Sequence, residues 1–450
     1  VKPEVAARSS PPATTKDEII APSLHVFQVL YGAEGDGPVS YLLETDGVVI
    51  LLDCGWDERF DETMLAPLKA VAPRVNLVLI SHPDLAHVGA LPYAIAKLNL
   101  KAPVYMTSPV QKMGELVLSE ALYNRGWGGG GPIRAIRPDQ PFTVEDVQHC
   151  FRDCATPLNY SQNLTITGLE KGTMTVTPFA AGHTLGGAVW RISKAIESIV
   201  YAVDFNHSKE RHLNGTMLGN MQRPALMICG VRNSDGTKRQ PKRSKVEKDI
   251  MALTLETLRK GGDVLFPVDS AARLLEVLLF FEKTWAEEKG RGAYRVAMVH
   301  HQGFHVVDFA NYFLSWMSSA VVDELDQNRV KAFDLKYIQI TKTLAELKTL
   351  PSPKVIFATS EAMEYGHAHD LFGDFAANPS NALILTEPGP ENSLARHLAT
   401  NARPPKKVDF EHHTRAKISG GVLKKWQEAK EEEEAKLATE QEKRTKETEL

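Results

Sequence analysis

Short apolar runs broken by turn residues dominate the first half of the chain. The run 25–30 alternates weakly and reads as a strand. The runs 39–43 and 48–52 flank Thr45-Asp46-Gly47, and Asp-Gly between two apolar runs predicts a tight hairpin. A helix is expected over 63–70 and a strand over 75–80, whose unbroken Leu77-Val78-Leu79-Ile80 marks burial on both faces. Further helices are expected over 90–98, 110–123 and 144–151, with strands over 104–107, 174–179, 189–192 and 199–203. The glycine-rich stretch 124–132 reads as a loop. No strand precedes it and no Lys-Ser/Thr follows, so it does not have the form of a phosphate cradle.

After Pro224 the pattern changes. Strand-like runs at 226–229, 264–268, 296–299, 355–359 and 383–386 are separated by helical patterns at 246–259, 271–288, 306–318 and 394–399. Buried strands alternating with helices predict a parallel sheet covered on both faces.

A length of 450 residues exceeds one core and suggests two or three domains. With 43% hydrophobic and 24% charged residues the composition is that of an ordinary globular chain. A net charge of −4 gives no overall nucleic-acid footprint, so any RNA contact has to be a local patch. Cys54, Cys150, Cys154 and Cys229 form no Cys-x-x-Cys pair and suit a reducing compartment. Cys150 and Cys154 are expected on one helix face as plain thiols. No apolar run approaches the length of a membrane span, and the first residues lack the order of a signal peptide.

The chemistry collects at strand ends. The run 48–52 delivers Asp53, the run 75–80 leads into Ser81-His82-Pro83-Asp84-Leu85-Ala86-His87, the run 174–179 leads to His183, and the run 199–203 delivers Asp204. Four metal-capable strand ends in succession imply one cleft at a sheet edge, where ligands of α/β folds gather. Asp53 suits either a carboxylate orienting a neighbouring imidazole or a turn cap. His300, His301, His367, His369, His412 and His413 show no ligand spacing and are expected in surface or core roles.

The order Asp, His-x-x-x-x-His, Gly-His, Asp resembles the metallo-β-lactamase family. The runs Leu51-Leu52-Asp53-Cys54-Gly55-Trp56-Asp57, Gly89-Ala90-Leu91-Pro92, Tyr201-Ala202-Val203-Asp204-Phe205-Asn206-His207 and Arg211-His212-Leu213-Asn214-Gly215 resemble its β-CASP branch in pre-mRNA 3′-end processing, on the side of the inactive paralogues. The resemblance covers roughly residues 24–425. It implies an α/β fold: an αββα sandwich with an inserted β-CASP parallel α/β domain that caps the cleft. The expected division is a disordered leader (1–22), a metallo-β-lactamase-like domain (23–225), a β-CASP domain (226–405), a return to the first domain or a linker (406–425) and a charged tail (426–450). Ser360-Glu361-Ala362-Met363 to Asp370-Leu371-Phe372 is similar to the family's late motif.

Against the family's His-x-His-x-Asp-His, the second His is Asp84 and the Asp is Ala86. Active members also carry an acid after the first β-CASP strand, where this chain has Gly230, and no later strand-His segment is found before Leu450. The resemblance therefore implies a vestigial cleft of Asp53, His82, Asp84, His87, His183 and Asp204, a degenerate zinc site with no cofactor, and no catalysis. It implies a nuclear scaffold subunit whose partners are the active endonuclease paralogue, a symplekin-like scaffold and pre-mRNA, with no membrane. The alternatives are a single-metal RNA hydrolase of the same fold, using His82, Asp84, His183 and Asp204, and an inactive subunit of an Integrator-like assembly. One basic cluster, with Lys238, Arg239, Lys242, Arg243 and Lys245, suits RNA phosphates, a nuclear-import signal or a solvated loop entering a helix.

Overall fold

The computed structural model describes residues 25–400 apart from 34–36, 129–139, 170–171, 195, 222, 231–240 and 288–293, together with 420, 421, 424, 427 and 428. The expected leader 1–22 and nearly all of 406–450 lie outside the described residues, as do Lys238 and Arg239.

The first sheet has the spatial order β1 (His25–Tyr31), β2 (Ser40–Thr45), β3 (Val48–Leu52), β4 (Leu77–Leu79), β5 (Val104–Thr107) and β6 (Ala155–Leu158). Its first three strands are antiparallel and β3 to β6 run parallel. The hairpin is where Asp-Gly places it: Asp46 and Gly47 have φ of 49° and 83°, the double positive φ that a two-residue turn needs. Among the described residues the α-helices of this part are α1 (Ala66–Val71), α2 (Leu85–Val88), α3 (Leu91–Lys97), α4 (Ser108–Asn124) and α5 (Val144–His149). After α5 the chain makes a π turn over Cys150–Cys154, with Cys150 buried and Cys154 half-buried.

The second sheet runs β11-β10-β9-β8-β7, from β7 (Leu164–Leu169), β8 (Gly172–Ala180), β9 (Ala188–Lys194), β10 (Glu197–Ala202) and β11 (Leu226–Cys229). One face of each sheet meets the other in a shared core: Tyr41, Leu43, Ile50, Leu52 and Leu79 pack against Met174, Trp190, Ile192 and Tyr201. The opposite face of the first sheet, through Leu42, Leu51, Val78 and Met106, buries against the helices. The sequence reading puts 226–229 in the second domain as its first strand. The structure corrects this: β11 pairs in parallel with β10 and extends the second sheet.

The third sheet has the order β14-β13-β15-β12-β16, from β12 (Val264–Pro267), β13 (Arg295–Val299), β14 (Ile338–Thr341), β15 (Lys354–Ala358) and β16 (Ala382–Leu383). Every pairing is parallel, as expected. Its helices are α6 (Arg243–Arg259), α7 (Arg273–Glu287), α8 (Gly303–Tyr312), α9 (Ser319–Asn328), α10 (Leu344–Lys348), α11 (Gly366–Ala376) and α12 (Leu394–Thr400). Alternation sends Phe266, Met298 and Phe357 to one covered face and Leu265, Val299 and Ile356 to the other.

Helix α4 joins the two parts. Thr107 caps it, accepting from the Val110 N–H, and Pro109 sits in its first turn. Val110, Leu118 and Leu122 join the first core, while Met113, Leu116 and Val117 join the core of the third sheet. Neither face is free for water, so Glu120 is fully buried between them.

Candidate functional site: a cleft of histidines and carboxylates

Strand β3 ends at Asp53, whose φ is 57°, and β10 leads to Asp204, whose φ is 42°. Non-glycine residues held in the left-handed region collect at functional sites. Asp53 is fully buried. It accepts the Ser81 N–H at 2.6 Å, the Ser81 hydroxyl at 2.7 Å and the Tyr201 hydroxyl at 2.6 Å. With its proton given to Asp53, the Ser81 oxygen accepts from His82 Nδ1 at 2.8 Å. Asp53 thus orients His82 through Ser81 and leaves His82 Nε2 as the lone-pair nitrogen. Of the two roles left open for Asp53, the geometry favours the orienting one. The second sheet fixes the same loop, because the buried Trp190 indole donates to the Ile80 carbonyl at 3.1 Å. Gly187 gives His82 its room: a Cβ there would lie 2.8 Å from the ring.

The strand ends converge. The rings of His82 and His87 have centroids 4.7 Å apart, and those of His82 and His183 5.7 Å apart. His87, on α2, is almost fully buried between two carboxylates, with Nδ1 2.7 Å from Asp84 and Nε2 3.4 Å from Asp204. Short helix α2 lies inside what reads as a loop in the sequence.

Burial alone would discharge His87. Asp84, followed by Asp53 and Asp204, outweighs it and raises the imidazole to about 9. Asp84 is driven up by burial but held well below the usual carboxylate range by His87. Burial, reinforced by His87 and His183, lowers His82 to about 3. His183 is also lowered, chiefly by burial. At neutral pH the cleft therefore holds one imidazolium between carboxylates, beside two neutral imidazoles.

The fold implies a pair of metal ions here, and these residues do not fit one. Ala86 has no donor atom, and Asp84 is turned onto His87 in an ion pair. Among the described residues, three-residue donor groups with ligand atoms within 4.8 Å of one another occur at Glu120–His301–His367 and Glu210–His212–Glu276, and the cleft is not one of them. At Gly230 a side chain would fit without collision, with a Cβ 3.5 Å from the Asp204 nitrogen. The glycine is not required by packing.

The basic cluster is divided. Lys242 and Lys245 are exposed. Arg243 is committed to Glu276 and, at 2.7 Å, to Glu247, which argues against the RNA contact expected of it. The sequence reading missed Ser81 and Tyr201 as the partners of Asp53. It also missed Glu120, which gathers His300 and His301. A signal existed: His300-His301 ends an apolar strand, and Glu120 interrupts an apolar helix.

A metallo-β-lactamase superfamily domain matches residues 42–228, and a Beta-Casp domain matches residues 274–398. The first match takes in most of β11, in line with its pairing. The chain thus carries a metallo-β-lactamase superfamily domain and a β-CASP domain. Among its relatives, cleavage and polyadenylation specificity factor subunit 2 of Arabidopsis thaliana is 37% identical over 89% of this chain and 52% of its own length. The Oryza sativa subsp. japonica protein of the same name is 39% identical over 89% of this chain and 53% of its own. Endoribonuclease YSH1 of Eremothecium gossypii is 24% identical over 82% of this chain and 47% of its own. The chain spans about half the length of the curated relatives it matches.

Proposed function

We propose that this chain is a non-catalytic subunit of the nuclear cleavage and polyadenylation specificity factor, acting in pre-mRNA 3′-end cleavage beside an active endonuclease paralogue and a symplekin-like scaffold. The names of its subunit 2 relatives support the pathway and the assembly. The observation that carries the inactivity is the state of His87, paired with Asp84 beside a donorless Ala86. Two-metal hydrolysis needs a metal-bound hydroxide and a second cation at the leaving oxygen. Ala86 takes a donor from one metal and Asp84 changes a donor of the other, which supports a cleft without a zinc pair. Lys242 and Lys245, with Lys238 and Arg239, would meet RNA phosphates as a local patch.

One observation favours a second reading, a single-metal hydrolase. His82 Nε2 is buried without a hydrogen-bond partner, and His87 Nε2 makes no hydrogen bond but lies 3.4 Å from Asp204. The test is incubation of the purified chain with a 3′-processing substrate RNA and zinc or manganese. No cleavage alone, with cleavage on adding the active paralogue, supports the scaffold. Metal-dependent cleavage that disappears in His82→Ala establishes the hydrolase instead.

A further inference from the structure

Away from the cleft, a second histidine group lies in the seam between α4 and the third sheet. Glu120 of α4 is fully buried. Its Oε1 accepts from the His301 N–H at 3.2 Å and the Thr359 hydroxyl at 2.8 Å, and lies 3.1 Å from His301 Nδ1. Its Oε2 accepts from the Gln302 N–H at 3.1 Å and faces His300 Nδ1 at 3.0 Å. His367 projects from α11, and its ring stacks on that of His301 at 4.2 Å. His367 Nε2 is buried with no hydrogen-bond partner, while the ring is engaged by the Lys342 backbone. That is the arrangement of a metal-ligating histidine, one nitrogen held by a backbone carbonyl and the other presenting a lone pair.

We propose that Glu120, His301 and His367 bind one divalent cation of the zinc class across this seam. A carboxylate with two imidazoles is a donor set suited to zinc, leaving a fourth position for water. Donors in one tetrahedral zinc shell stand about 3.3 Å apart, close to the Glu120–His301 separation. His301 is half-buried, so solvent reaches the site. One ligand atom from each of the three residues already lies within 4.8 Å of the others. The other three-donor group, Glu210–His212–Glu276, is less suited, because Arg211, Arg243 and Arg273 already pair with its carboxylates and repel a dication.

The test is calorimetric titration of the metal-stripped chain with zinc chloride, followed by cobalt(II) substitution read by visible absorption. One zinc per chain is expected, with a tetrahedral cobalt spectrum. His367→Phe keeps a ring against His301 and removes the donor. It should weaken zinc at least tenfold while leaving the melting temperature of the metal-free protein unchanged. His301→Gln, at a half-buried position, serves should His367→Phe not fold. His82→Ala, in the cleft, should leave the uptake unaltered. Absence of zinc uptake, uptake that survives both seam variants, or uptake abolished by His82→Ala would overturn the proposal.

Discussion

The cleft and the seam each place histidines around a buried carboxylate, yet they prepare opposite chemistry. In the cleft both nitrogens of His87 face carboxylates, and the ring carries charge. In the seam the carboxylate serves backbone and side-chain donors of the neighbouring sheet, and His367 keeps a bare nitrogen, as His82 does in the cleft. The cleft has the family's motif positions with two of them changed, at Asp84 and Ala86. The seam has donors without a motif. What separates the two is where each ring nitrogen is spent, and spacing along the chain does not report that.

The largest effect should come from Glu120→Ala. It removes the carboxylate shared by the His301 and Gln302 N–H groups, the Thr359 hydroxyl and two imidazole nitrogens. Removing one side of such a buried group destabilises by about 3–5 kcal/mol, read from the urea midpoint at constant slope. Asp53→Ala should follow at about 3 kcal/mol, since Ser81 and Tyr201 lose a shared acceptor. A cleft carboxylate that proved dispensable would detach His82 from its supporting relay.

The pH response sharpens the contrast. His87 is raised from 6.5 to about 9, so its ion pair contributes fully below about 6.5 and fades as pH rises through about 9. Asp84 is lowered, so its share is present above about 4 and is lost in acid. Asp84 is half-buried, and solvent screening reduces the contribution to about 1–2 kcal/mol. Thermal melts of the wild type should lose that much stability between pH 6.5 and 10, and Asp84→Asn should flatten the alkaline loss. The smallest effect belongs to Gly230→Ala. The added Cβ meets only ordinary contacts, and stability should stay within about 0.5 kcal/mol.

Much of this was legible in the residues. Strand ends located Asp53, His82, His87, His183 and Asp204, because apolar runs fix where strands stop and sheets gather those stops at one edge. The parallel third sheet was legible from buried runs alternating with helices. Strand β11 was misplaced because a four-residue run carries no mark of its partner, and only pairing with β10 settles it. Strands β6, β7 and β14 were missed for a related reason: Thr and Pro dilute β6, Thr and Gly dilute β7, and β14 spans only Ile338–Thr341. Glu120 meets His301 and His367 across 181 and 247 residues of chain, a separation no local pattern encodes.

The most direct measurement is the zinc content of the His367→Phe chain after equilibration with excess zinc and removal of free metal. With the seam donor gone, the cleft is the place left to hold zinc in the family's manner. A vestigial cleft predicts no retained zinc. One or two retained equivalents, released on adding His82→Ala, would contradict it.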